Sequence, residues 1–201
     1  MITADRVLNS FIALLTLFLV ISFFRKDKNW VPERGKGAMR FFTTQSNILC
    51  AVACLLTGLA LTSEGAIPRW IWMLKYVGTA AVTVTMLTVF LFLAPSIGKD
   101  WAKYLLSGTD IFMHLLTPVL ALVSFCVFER QGMTFPESLA GLLPVLLYGP
   151  LYLYKILFAP PEKRWEDFYG FNKQGKWPVA FLRMLLGTFA ICMGIMAIQK
   201  L

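Results

Sequence analysis

Two stretches of this chain carry side chains suited to acyl-transfer chemistry. The first is Phe41-Phe42-Thr43-Thr44-Gln45-Ser46-Asn47, in which five polar residues follow one another at the start of an apolar run. Thr43, Ser46, Asn47, Cys50 and Cys54 recur at helical spacing, so they form one stripe of small or polar groups. The second runs from Asp110 to Pro118 and holds the only histidine, His114. Asp110 and His114 are four apart on one helical face, where a carboxylate would orient the imidazole and stabilise an imidazolium. Pro118 lacks an N–H, so the carbonyl of His114 loses its normal helical partner. A hydroxyl and an imidazole that meet are the minimum for nucleophilic catalysis, the base taking the proton as the oxygen attacks an acyl carbon. The plainer reading of the same groups is helix capping and hydrogen bonding to neighbouring helices.

The elements that must position these groups are six apolar runs, roughly 7–24, 41–61, 70–93, 109–128, 138–158 and 177–198. Each is about 18–24 residues long, enough to cross a hydrocarbon core about 30 Å thick at 1.5 Å per residue. With 58% hydrophobic residues and a mean hydropathy of +0.68, the chain is not a soluble basic domain. In lipid every backbone polar group must be satisfied internally, so the runs are read as helices. The expected fold is an all-α bundle of six transmembrane helices forming a single integral membrane domain over 1–201. No internal repeat is evident, which disfavours inverted-repeat transporter folds.

The net charge of +8 does not indicate nucleic acid, because the basic residues cluster at helix ends. Arg25, Lys26, Lys28, Arg34, Lys36 and Arg40 lie in the first connection, Lys99 and Lys103 in the third, and Lys163, Arg164, Lys173 and Lys176 in the fifth. The opposite side carries Arg6, Arg69, Arg130 and Lys200. The positive-inside rule then sets connections one, three and five in the cytoplasm and both termini on the extracytoplasmic side. The basic face would attract anionic lipid groups. The first run lacks the features of a cleaved signal peptide and is expected to stay as the first helix.

Lys75, Lys155 and Arg183 fall within about two turns of a helix end, where they are expected to snorkel to the headgroups. On that reading no charge is buried at depth, which argues against an ion-coupled transporter. Cys50, Cys54, Cys126 and Cys192 all lie inside predicted helices and read as packing residues rather than a disulfide framework. One histidine without an acidic cluster offers no ligand set for a metal, and the expected chemistry needs no organic cofactor. Gly78, Thr79, Thr83, Thr85 and Thr88 suit close helix packing. Pro144 and Pro150 predict a bent fifth helix. The aromatics of 164–171 read as an interfacial belt, with a lid over the site as the alternative.

Three motifs carry a family resemblance: Phe-Thr43-x-Gln45-Ser46-Asn47, His114-x-x-x-Pro118 and Tyr148-Gly-Pro150-Leu-Tyr152. They resemble a bacterial group of membrane proteins and, more distantly, the androgen-induced protein and the androgen-dependent TFPI-regulating protein. Those are multi-pass threonine hydrolases acting on fatty acid esters of hydroxy fatty acids. The resemblance implies Thr43 as nucleophile, in preference to Thr44, and His114 as base, in a bacterial cytoplasmic membrane. It departs where family members often carry an acidic residue five or six positions after the proline; Val123 and Ser124 occupy that stretch. Asp110 would then orient His114, and Ser46, Asn47 or backbone N–H groups would stabilise the oxyanion. The expected function is an intramembrane lipid ester hydrolase, its partners being the bilayer and an amphipathic ester, with water or a lipid hydroxyl as acyl acceptor. The alternatives are an acyltransferase using the same pair, or a non-catalytic protein that binds or moves lipids or small molecules.

Overall fold

The computed structural model describes residues 2–62 and 64–201. The chain is all-α, apart from a two-residue ribbon. In order, α1 is Ile2–Phe23, α2 is Phe42–Ala60, α3 is Arg69–Leu93, α4 is Phe112–Phe128, α5 is Phe135–Leu157 and α6 is Trp177–Gln199. Five of these are long and apolar enough to cross a membrane; α4 is the exception. The expected run of 109–128 is cut short because the chain turns just before it, with Gly108 at φ +57. α1 starts at Ile2 rather than near residue 7, so the polar residues Asp5 and Asn9 become part of its buried face.

α3 is the central element. It packs against α2, α4, α5 and α6, whereas α1 lies against α2 and α4. In its most apolar window 56% of residues are buried, the largest share of any of the five long helices. Small side chains make this possible, because packing in lipid relies on close approach rather than on a hydrophobic driving force. Ala80 and Ala81 are completely buried. At Gly78 the approach is closest: a Cβ there would lie 2.9 Å from the Cα of Cys50 in α2.

Two local departures from α geometry follow from composition. Between α1 and α2, Arg25–Lys26 pairs antiparallel with Asn29–Trp30. Its turn residues Asp27 and Lys28 both have positive φ (49° and 67°), the conformation that matches the twist of a tight hairpin. In α4, Phe112–Leu116 and Ser124–Phe128 are π turns. The first ends two residues before Pro118, whose missing N–H withdraws the usual partner of the His114 carbonyl. The helix responds by widening, with the Thr117 N–H reaching back to Phe112 O.

The helix ends gather in two groups. At one end the starts of α2 and α4 meet the end of α5 and the segment 158–176. At the other, Arg6 donates to Leu61 O at 2.5 Å, Trp72 Nε1 to Glu129 O at 2.6 Å, and Arg69 pairs with Glu137 at 2.6 Å. The structure overturns the expectation for Lys75. It does not snorkel: its side chain is wholly buried, and its ammonium lies 3.2 Å from the equally buried carboxylate of Glu129. Asp5 and Glu129 supply the enclosed counter-charges, so the ammonium has a better partner inside than in the headgroup layer. Buried ionisable groups are therefore part of this bundle.

Gly78→Ala is expected to force α2 and α3 apart and to destabilise the protein by about 1–3 kcal/mol, as overpacking of a tight core does. Gly187→Ala in α6, where a Cβ would meet nothing within 4 Å, is expected to be near neutral. Thermal unfolding of both variants in one detergent checks the difference.

Candidate active site

The first turn of α2 presents its residues in different directions. Thr44 is buried in the bundle, whereas Thr43 is half-buried and forms part of the wall of an apolar cavity. Thr85 and Thr88 of α3, Tyr148, Gly149 and Tyr152 of α5, and Phe181 and Met184 of α6 line the same space. Gly149 is needed there for its size: a Cβ would come within 2.4 Å of the Phe181 ring. A second cavity shares Thr88, Tyr169, Phe171 and Met184 with the first, and its wall includes Arg183. The first cavity is lined mainly by hydrocarbon and aromatic surface, and the second brings a guanidinium beside it.

The segment after α5 closes this cavity, and its aromatics turn inward. Asp167 organises the turn. Its Oδ1 accepts from Tyr152 Oη at 2.9 Å and from the Phe171 N–H at 2.8 Å, and its Oδ2 accepts from the Asn172 N–H at 2.7 Å. The Tyr169 N–H donates to Tyr152 Oη at 3.1 Å. Tyr152 lies among the rings of Trp165, Phe168, Tyr169 and Phe171 with centroids 5.1–6.3 Å apart. Two aromatics of the segment, Tyr169 and Phe171, line the cavity.

Tyr169 is the group that sequence reasoning missed. Its hydroxyl accepts from the Phe42 N–H at 3.0 Å and lies beside Thr43. Burial pushes this hydroxyl up from the ordinary tyrosine range, so it stays protonated and able to donate at neutral pH. The one available signal was its place in an aromatic cluster adjoining the fifth helix, which by itself suggests only an interface.

Ser46 and Asn47 both serve the backbone beside Thr43. Ser46 Oγ donates to Thr43 O at 3.0 Å and lies 2.8 Å from Thr85 Oγ1. Asn47 Nδ2 donates to the same carbonyl at 2.8 Å and to Met113 O of α4 at 3.2 Å. Their donors are thus directed at carbonyl oxygens, not into the cavity, so they hold Thr43 rather than wait for an oxyanion. Asn47 Oδ1 is buried without a hydrogen-bond partner.

The Asn47–Met113 bond also joins the two helices that carry the expected pair, because His114 is the residue next to Met113. His114 is half-buried on the widened turn and interacts electrostatically with Asp110. The structure therefore brings the turns bearing Thr43 and His114 into contact, and it joins Asp110 to His114. It does not put His114 among the residues that line the Thr43 cavity. No group of three or more potential metal ligands occurs among the described residues. The four cysteines are free and buried; Cys50 Sγ and Cys54 Sγ lie 3.9 Å apart on one helical face.

No family model, curated protein or solved structure matches the chain.

Asp167→Ala is expected to loosen the closing segment without unfolding the helices. Hydrogen bonds to a charged acceptor are worth about 1.5–3 kcal/mol, so the amides of 168–172 should exchange roughly tenfold or more faster. Hydrogen–deuterium exchange resolved by peptide checks this, with peptides from α3 unchanged.

Proposed function

We propose that the protein is an intramembrane hydrolase of amphipathic lipid esters, with Thr43 as nucleophile and His114 as base. The observation that carries this reading is the position of Thr43: a reactive-type hydroxyl in the wall of an apolar, lidded cavity, on a helical turn bonded directly to the turn that bears the imidazole.

Thr43 Oγ1 attacks the acyl carbon while His114 takes its proton, directly or through one water. The tetrahedral oxyanion collapses, the ester C–O bond breaks, and His114 returns the proton to the leaving alcohol. Water, or a lipid hydroxyl in the acyltransfer variant, then releases the acyl group from Thr43 by the same steps. Asp110 orients the imidazole and balances its positive charge. Ser46 and Asn47 fix the Thr43 backbone. Tyr169 Oη, protonated and beside Thr43, is the donor best suited to the oxyanion. The acyl chain would fill the apolar cavity and an anionic end would lie toward Arg183.

The wider setting belongs to the same proposal. We read α4 as a sixth span, the chain as one integral membrane domain, and both termini as extracytoplasmic in a bacterial cytoplasmic membrane. Supporting this, α4 runs from Met113, bonded to the start of α2, to Ser124, bonded to Asn9 in the first turns of α1.

A second reading, a non-catalytic lipid-binding or lipid-moving protein, is favoured by the absence of His114 from the cavity wall. A fluorophosphonate, which traps activated hydroxyl nucleophiles, separates the two in native membranes. Labelling is expected in the parent protein and is expected to vanish in both Thr43→Ala and His114→Ala, while Thr44→Ala keeps it. Absent labelling, together with unchanged lipid ester turnover in a deletion strain, would select the binder.

A further inference from the structure

At the end of the bundle away from Thr43, four helices enclose a charged cluster that the proposed hydrolysis does not use. Asp5 and Asn9 come from α1, Cys54 from α2, Lys75 from α3, and Ser124 and Glu129 from the end of α4 and the residue beyond it. All six are buried, none more than 2% exposed. Lys75 Nζ donates to Asn9 Oδ1, to Ser124 Oγ at 3.1 Å and to Cys54 Sγ at 3.2 Å, and lies 3.2 Å from Glu129 Oε1. Asn9 Nδ2 bonds Asp5 Oδ1 and Glu129 Oε1, each at 2.9 Å. Ser124 Oγ touches the same two oxygens, at 3.1 and 2.5 Å. Two carboxyl oxygens that share a nitrogen and a hydroxyl lie side by side, and the two groups are within hydrogen-bonding reach of each other.

The charges do not balance. Two enclosed carboxylates face one ammonium, leaving one negative charge in excess. Cys50, Cys54 and Cys126, the other titratable groups around the cluster, supply no positive charge in any state. Neither nearby guanidinium bonds the carboxyl groups: Arg6 donates to Leu61 O and Arg130 to Cys126 O at 2.7 Å. An uncompensated buried charge is costly, and neighbouring carboxyl groups relieve it by retaining a proton. Glu129 Oε2 is enclosed and has no hydrogen-bond partner, an environment that penalises the ionised carboxyl group more than the neutral one. A metal cation is a poor alternative, because the Lys75 ammonium already occupies the point where the oxygens converge.

We propose that Asp5, Glu129 and Lys75 form an intramembrane proton-binding site that holds one proton on the carboxyl pair at neutral pH. Uptake of that proton takes the cluster from a net charge of −1 to zero, and its release restores the excess. Because the ligands come from four helices, the proton is a condition for their packing, and this end of the bundle responds to pH.

Infrared spectroscopy of the full chain in lipid nanodiscs at neutral pH tests the proposal through the carbonyl stretch of a protonated carboxylic acid. The parent protein is expected to show one such band, lost on alkaline titration and kept in Asp110→Asn. Asp5→Asn and Glu129→Gln should each abolish it, since the remaining carboxylate then balances Lys75. Lys75→Met should roughly double it, because two carboxyl groups then each need a proton. Absence of the band in the parent protein overturns the proposal, and so does a band that survives both amide substitutions. Should a variant fail to fold, the parent spectrum beside that of Asp110→Asn still decides, since the site requires a band that does not come from Asp110.

Discussion

The contact on which the rest of the bundle depends is the crossing of α2 and α3 at Cys50 and Gly78. Nothing larger than hydrogen fits at Gly78, so the two backbones touch there. The antiparallel register set by that contact runs in both directions. On one side Ser46 meets Thr85; on the other Cys54 meets Lys75. Both polar sites are therefore fixed by one close approach, with Thr43 one turn beyond Ser46 and the charged cluster one turn beyond the crossing. A wider separation at this point would loosen the ligands of the ammonium and move the turn of Thr43 relative to α4.

Much of this was legible in the sequence, because helical periodicity is local. The stripe Thr43, Ser46, Asn47, Cys50, Cys54 does turn inward, apart from the partly open Thr43. Of the adjacent Thr43 and Thr44, Thr43 is the one that lines the cavity. The frame of long apolar helices follows from run length alone. The failures have a common physical origin. Lys75, Asp5 and Glu129 each stand near a helix end, and each taken singly belongs at an interface. Burial of a charge is decided by its partners, and these partners are 70, 54 and 124 positions apart along the chain. One sequence does not show which ends converge. The same holds for Tyr169, whose contact with Phe42 spans 127 residues.

The closing segment shows how a connection of 19 residues between α5 and α6 can be ordered with no regular structure beyond two three-residue 3-10 turns. Loops normally stay at the surface because their backbone groups need partners. Here Asp167 takes two backbone N–H groups and Tyr152 takes a third, so the chain can fold back over the cavity with its aromatics down. Arg40 sits 5.5 Å from the Phe168 ring and ties the first connection to the fifth. The basic and aromatic residues that read from sequence as interfacial thus also serve as the roof of an apolar chamber.

The two ends of the bundle differ in a way that electrostatics explains. The cluster around Lys75 is closed, because separated charges in a low-dielectric interior are tolerable only when each is held by fixed dipoles and counter-charges, and water admitted there would compete for every donor. The wall of the cavity at the Thr43 end is made of neutral hydroxyls, hydrocarbon and aromatic rings, whose exposure to an apolar ligand costs far less, and the exposed Arg183 stands at its margin. The same α2–α3 pair thus holds a closed cluster of buried charges at one end and an apolar chamber at the other.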